Sequence, residues 1–168
     1  DLSLMVARAM INRRFSELVK EEGAPFIGAS AGDGGAFELF DGEGLYVTAA
    51  PEKWEEALAF CEQELRRALR HGFQGAELDE VRADVLRSLD EAVDREPTAH
   101  SKSLLSSIVN AAEERYVPMN AADRRALVRP AVEALTTEAC HLALVQAWDR
   151  GELSLYALGG LDLRDASG

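Results

Sequence analysis

Imidazoles and thiols are the side chains that could activate water or attack a substrate, and this chain has few of them. Three histidines and two cysteines are present. A zinc site of the H-x-x-E-H kind needs two histidines on one helix face with a glutamate beside them. His71, His100 and His141 are too far apart to share such a face. Cys61 and Cys140 form no C-x-x-C pattern, which excludes a disulfide-dense scaffold and a zinc bound by cysteines.

Cys140 and His141 are adjacent, which suggests a thiol nucleophile beside its base. Neighbouring helical residues point about 100° apart and do not face each other. We therefore interpret Cys140 as a buried structural cysteine and His141 as a partly exposed histidine. His71 lies near a helix end, where it would neutralise the helix dipole.

The remaining candidate functional residues also have simpler structural explanations. The glycine-rich residues 28–35 lead into a predicted strand and include Asp33, whereas a phosphate-binding loop leads into a helix. Trp54 and Trp148 lie on apolar helical stripes typical of a core. No carboxylate pair stands out from the charged helix surfaces. The sequence therefore predicts no catalytic, cofactor-binding or metal-binding residue in this chain.

Composition limits the possible partners. The 168 residues are 47% hydrophobic and carry a net charge of −12. An acidic surface repels phosphate backbones, so nucleic acid is excluded as an expected partner. No run of about 20 apolar residues predicts a membrane span. The low cysteine content is compatible with the cytoplasm and the periplasm alike. The chain starts inside a helical pattern and without methionine, which we interpret as a piece of a longer polypeptide.

Hydrophobic spacing predicts the elements that would position any site. A helix over about 2–22 is followed by a glycine-rich hairpin, with strands at 26–31 and 36–40 and an extension at 45–49. Further helices are predicted from Pro51 to His71, from Gly75 and from Thr98, then a short piece near Asn120 that Pro130 breaks, and one from Thr136 with Leu142, Val145 and Trp148 inward. Residues 153–158 read as a buried strand, and 161–168 as a loose tail.

A strand that arrives so late must pair with an earlier one to satisfy its backbone. The predicted fold class is α+β, with two layers. A small antiparallel or mixed sheet would carry helices on one face, in a single domain over 1–168.

Four segments, taken in order, resemble the insulinase/pitrilysin zinc metallopeptidases. Residues 11–26 are similar to the "L-N-x-R-L … L-R-E-x-x-G-x-x-Y" passage of that family, and residues 51–70 to its "P-E-K-x-x-E-A-L" helix. Residues 72–82 resemble its "G-F-T-x-x-E-L-x-x-A-K" turn and helix, and residues 135–138 its "L-T-x-E". The resemblance covers nearly the whole chain.

The resemblance implies a bacterial protease built of α+β modules that close around a peptide, with zinc held in one module. The H-x-x-E-H motif is absent here, and Val19 and Phe26 stand where partner modules carry a substrate-gripping arginine and tyrosine. We therefore expect the later portion of a non-catalytic module, itself inactive and without a cofactor, that helps to form the chamber and supports a zinc-bearing half.

Expected partners are the other modules and the peptide substrate, and an unpaired sheet edge favours pairing with a second copy of the chain. The exposed edge of the hairpin, at 25–31 or 36–49, is the candidate for strand addition to a peptide. The alternative is an assembly scaffold related to the non-peptidase core subunits of the same family.

Overall fold

The computed structural model describes residues 1–34, 42–98, 109, 117–149 and 154–159. They form two compact units. One contains residue 1, residues 3–78 and the described residues from 136 onward, and the other contains residue 2 and the described residues of 79–135. The prediction of a single domain stays a prediction, and the predicted tail at 161–168 lies outside the described residues.

The first unit begins with helix α1, Leu2–Leu18. The Asp1 carboxylate accepts a hydrogen bond of 2.8 Å from the Ser3 N–H and so caps the helix. Its buried face is formed by Val6, Ala7, Met10, Ile11 and Phe15. The predicted end near residue 22 was one turn too late, because Lys20 and Glu21 donate to carbonyls only three residues back and tighten the chain before Gly23.

Two antiparallel strands, β1 (Gly28–Asp33) and β2 (Glu43–Thr48), make a ribbon. The register pairs Gly28 with Thr48 and Gly32 with Gly44. The predicted return strand at 36–40 lies outside the described residues. Glu43 and Gly44 both belong to the paired part of β2, which therefore begins two residues before the predicted extension at 45–49.

Helix α2 follows a 3₁₀ turn, Pro51–Lys53, and runs over Trp54–His71. Its buried face is formed by Ala57, Cys61, Glu64, Leu65 and Ala68. Gly72 ends the helix with φ +70°, a conformation that favours glycine. Phe60 stacks on Phe26 at a ring-centroid distance of 5.7 Å, and Phe26 meets the edge of Phe15 at 6.4 Å.

Helix α3 spans Gly75–Arg95 and continues into a 3₁₀ turn, Glu96–Thr98. The helix predicted from Thr98 lies outside the described residues except for Val109, which is helical. Helix α4 spans Ala121–Glu133 and is capped by the Asn120 side chain, which accepts from the Asp123 N–H at 2.7 Å.

Pro130 does not break α4, contrary to the prediction. It lies in the last turn of the helix on the exposed side. The carbonyl that it leaves without a helical N–H belongs to Ala126, which is also exposed and can be satisfied by water.

The last helix, α5, spans Thr137–Trp148 and is capped by Thr136. Leu142 was predicted to face inward but is 58% exposed, because Cys140, Ala143 and Leu144 form the buried face instead. Val145 and Trp148 are half-buried.

The prediction of a final strand at 153–158 was also wrong. Residues 154–158 are not in a strand, and Leu155, Tyr156 and Leu158 are between 64% and 97% exposed. β-Strand formation depends on packing and pairing partners, and within the described residues β1 and β2 pair only with each other. The predicted α+β class is confirmed, with helices and a two-stranded antiparallel sheet. None of the described helices has both the length and the apolar character needed to cross a bilayer.

Candidate functional site

The described histidines and cysteines lie on α2 and α5. His71 is exposed at the last position of α2, and Cys61 and Cys140 are both buried. Burial raises the pKa of the Cys61 thiol to about 11, which keeps it protonated and unreactive near neutral pH. His100 lies outside the described residues. Across the described ranges, no group of three or more histidine, cysteine or acidic side chains could hold a metal ion.

His141 has a structural contact. Its Nε2 lies 2.9 Å from the carbonyl oxygen of Leu69 in the last turn of α2. A carbonyl oxygen can only accept, so Nε2 must carry the hydrogen and donate it. The ring also lies against Gly72, where an added Cβ would approach it to 3.1 Å. His141 therefore satisfies a carbonyl at the end of α2, in agreement with its interpretation as a partly exposed histidine.

The ribbon is the part of the first unit that could receive an extended peptide, and its two faces differ. Ala31 on one face is 3% exposed, and Leu45 and Val47 on the same face are half-buried. The other face presents Ser30, Tyr46 and Thr48 as exposed residues. Because side chains alternate along a strand, this pattern gives the ribbon one core face and one open face.

Tyr46 forms a platform on the open face. Its hydroxyl donates a hydrogen bond of 2.8 Å to the Asp33 carbonyl, and the residue is 52% exposed. A Cβ on Gly44 would lie 2.8 Å from the Tyr46 ring. The glycine thus leaves room for the ring to lie along the ribbon, with its other side open to solvent.

The two edges of the ribbon also differ. The Gly34 N–H donates a hydrogen bond of 2.8 Å to the Gly42 carbonyl. The backbone groups of the even-numbered residues of β1 and β2 therefore make the hydrogen bonds between the two strands. The backbone groups of Ala31 therefore point away from β2. The Asn12 side chain forms hydrogen bonds with both groups: its Nδ2 donates to the Ala31 carbonyl at 3.0 Å, and its Oδ1 accepts from the Ala31 N–H at 2.7 Å.

This contact corrects the predicted strand-addition edge at 25–31, because Asn12 occupies the outer edge of β1 at its centre. On the outer edge of β2, by contrast, no group within the described residues bonds to the backbone of Leu45 or Val47. The part of the predicted edge that remains available is therefore within Glu43–Thr48.

Polar side chains of α1 hold the ribbon and the turn after α2. Arg8 forms a two-pronged ion pair with Glu43 at the start of β2, with Nε 2.9 Å from Oε2. Arg14 donates to both carboxylate oxygens of Glu77, one of them at 2.9 Å, and to the Gly72 carbonyl at 3.1 Å. Its guanidinium also lies 3.4 Å from Glu64 and stacks over the Phe73 ring.

These contacts shift the pKa values of the Arg14–Glu77 pair. The hydrogen bond that Arg14 donates to Glu77 raises the pKa of Arg14. Burial opposes ionisation of Glu77, but the hydrogen bonds from Arg14 and from the Gln74 N–H outweigh it, so the pKa of Glu77 lies below its ordinary value. Both groups are therefore charged at neutral pH.

The sequence patterns assigned no role to Arg8 or Asn12. The resemblance segment 11–26 did contain Asn12 and Arg14, but a single sequence does not show which backbone group a polar side chain will meet. Phe26, at the position of the family's gripping tyrosine, is 4% exposed between Phe15 and Phe60 and belongs to the core.

Comparison with known proteins identifies the fold. No protein-family model and no curated protein sequence matches the chain. Among solved structures, the first half of the periplasmic protease PqqL from Escherichia coli superposes with a TM-score of 0.75 at 20% identity, covering 87% of this chain and 31% of that one. A protein from Yersinia pestis, described as a predicted insulinase family protease, gives 0.74 at 13% identity, with 89% and 32% covered.

The full PqqL structure gives a TM-score of 0.59 at 21% identity and is covered to 16%. The chain thus spans about a third of the first two structures and less of the third. At these identities the likeness shows the fold. The resemblance to the insulinase/pitrilysin group is confirmed at that level: the chain has the fold of one portion of such a protease.

Proposed function

We propose that the chain is the later, non-catalytic portion of a module in an insulinase-type zinc protease, where its ribbon lines the chamber that holds the peptide. The observation that carries this proposal is the asymmetry of the ribbon. Within the described residues, Asn12 closes one edge, while the outer edge of β2 and the face with Tyr46 are open.

An open edge and an aromatic platform suit an extended peptide. The backbone of Leu45 and Val47 can pair with a peptide strand independently of its sequence. The exposed side of Tyr46 adds apolar contact with little side-chain entropy to lose. In the proposed protease, zinc and the water-activating glutamate belong to a different module, and this chain contributes binding surface.

Metal content and hydrolysis test the non-catalytic part of the proposal. After dialysis, the purified chain is expected to hold no stoichiometric zinc and to cleave no unfolded peptide. The full polypeptide that contains it is expected to do both. One zinc per isolated chain would contradict the proposal, and a full polypeptide without hydrolysis would favour the assembly scaffold.

Peptide binding tests the chamber part. An unfolded, unstructured peptide titrated into the ¹⁵N-labelled chain should shift the amide resonances of Leu45 and Val47. Removing one aromatic contact in Tyr46→Ala should weaken binding about fivefold. Tyr156→Ala is the matched control, because Tyr156 is 86% exposed and distant in sequence from the ribbon. Equal weakening by both variants, or shifts elsewhere only, would contradict a role for the ribbon.

A further inference from the structure

The outward side of α2 carries an ordered stripe that the proposed function does not use. Glu56, Phe60, Gln63, Arg67 and Arg70 line an open depression along the helix. We call these five residues the α2 stripe. They recur at spacings of three and four and lie opposite the buried residues Ala57, Cys61, Leu65 and Ala68. All are exposed except Phe60, which is half-buried.

The two ends of the α2 stripe are symmetric about Gln63, because Glu56 lies seven residues before it and Arg70 seven residues after it. Phe60, three residues before Gln63, is matched by Arg66, three residues after it, which lines the same depression beside the stripe. Glu56 and Arg70 are therefore about 21 Å apart along the helix axis, at a rise of 1.5 Å per residue. An acidic end, an aromatic residue, a neutral centre and a basic end follow one another in that order.

When two copies of α2 lie antiparallel, the acidic end of each stripe meets the basic end of the other. We propose that the α2 stripe is a self-association surface, on which a second copy of this chain packs its own α2 antiparallel across a two-fold axis at Gln63. Each Glu56 then faces Arg70 of the other copy, and each Phe60 faces the other copy's Arg66 and Arg67. Such a contact is isologous, as in most homodimers.

The charges at both ends are available for this pairing. Across the described residues, neither Glu56 nor Arg70 has an ion-pair partner. Arg66 and Arg67 are paired with Glu62 and Glu64 on their own helix, which leaves the flat faces of their guanidinium groups for stacking on an aromatic ring. A single helix pair buries less than the standard interface of about 800 Å² per partner, so the dimer is expected to be weak and concentration-dependent.

Charge reversal tests the pairing. Sedimentation velocity over a concentration series, at about 0.15 M NaCl to screen the long-range repulsion between two acidic chains, should show a monomer–dimer equilibrium. Glu56→Arg and Arg70→Glu should each weaken it about tenfold, because each variant places two pairs of like charges in contact. The double variant should restore it. Glu55→Arg, with the same charge change on the same helix but outside the α2 stripe, should leave it unchanged.

A crosslink tests the axis. In Gln63→Cys, two copies bring their new thiols together, and mild oxidation should give a disulfide-linked dimer, while Glu55→Cys should not. The native Cys61 and Cys140 are buried and should not interfere. A chain that stays monomeric at all concentrations, a double variant that fails to restore association, or equal crosslinking of the two cysteine variants would overturn the proposal.

Discussion

Two arginine–carboxylate clusters use the same chemistry in different surroundings. In the first unit, Arg14 grips both oxygens of Glu77 and approaches Glu64. In the second unit, Arg129 contacts both oxygens of Asp90 at 2.6 and 2.7 Å, and Arg125 adds a third contact at 3.3 Å. The side chains of Arg14, Glu77 and Glu64 are 18%, 23% and 9% exposed, whereas those of Arg129, Asp90 and Arg125 are 34%, 49% and 41% exposed.

This difference in exposure determines what each cluster contributes. Removing one partner from a buried pair leaves an uncompensated charge, which is costly. Removing one from an exposed pair returns the other to water at little cost. Arg14 also joins four segments: α1, α2, the turn at Gly72 and the start of α3. The Asp90 cluster joins α3 to α4 alone. We infer that the Arg14 cluster fixes the arrangement of the first unit and that the Asp90 cluster only adjusts stability.

The substitution Arg14→Met tests the contrast between the two clusters most directly, because it keeps much of the side-chain volume but removes the charge. We expect the free energy of unfolding to fall by about 3 kcal/mol, at the low end for a broken buried pair because some solvent reaches the cluster. Urea denaturation measures the change. Arg124→Met, at an exposed arginine of α4, is the control and should be nearly neutral. Equal losses would show that burial does not distinguish the two regions.

A smaller effect is expected from Asn12→Leu, which removes the two hydrogen bonds to Ala31 without removing a charge. Unpaired, part-buried backbone groups should lower the free energy of unfolding by about 2 kcal/mol. Asn12→Asp should recover only part of this, because a carboxylate can accept from the Ala31 N–H but cannot donate to its carbonyl. Ser16→Ala, which removes an exposed hydroxyl on the same helix, serves as the control. No loss in Asn12→Leu would mean that water replaces the side chain.

High salt should change the carboxyl pKa values of the two clusters by different amounts. The pKa of Asp90 is lowered chiefly by its hydrogen bond from Arg129, and that of Glu77 by Arg14 and Gln74 against the effect of burial. For both groups the stabilisation is complete above the carboxyl's ordinary pKa, about 4, and is lost as pH falls through the lower pKa of the folded state. At about 1 M salt the screening length is about 3 Å, so the exposed pair should weaken more.

NMR titration of the carboxyl groups is the measurement. At high salt the pKa of Asp90 should return toward its ordinary value, while that of Glu77 should stay low. Glu17 is the control: its pKa is lowered chiefly by a hydrogen bond from Lys20 in a fully exposed pair, and it should respond to salt as Asp90 does. If Glu77 and Asp90 responded equally, the contrast between the clusters would be lost.

The sequence predicted correctly those elements that are determined by residues close together in the chain. The end of α2 at His71 and the helix starts near Asn120 and at Thr136 were predicted correctly, because a helix is specified by neighbours three and four residues away. The late strand was predicted wrongly because strand pairing depends on residues far away in the chain, which a local apolar run does not reveal. The Arg14 cluster was missed for the same reason: Arg14 and Glu77 are 63 residues apart, and nothing in their local patterns links them.

The Asn12 contact has a consequence for how sheets of this kind can grow. A primary carboxamide carries the same donor and acceptor as a peptide unit, so one residue of a helix can stand in for one residue of a neighbouring strand. The width of the sheet on that side is thus limited by an amino acid outside the sheet, and recruitment of additional chains is directed to the opposite margin.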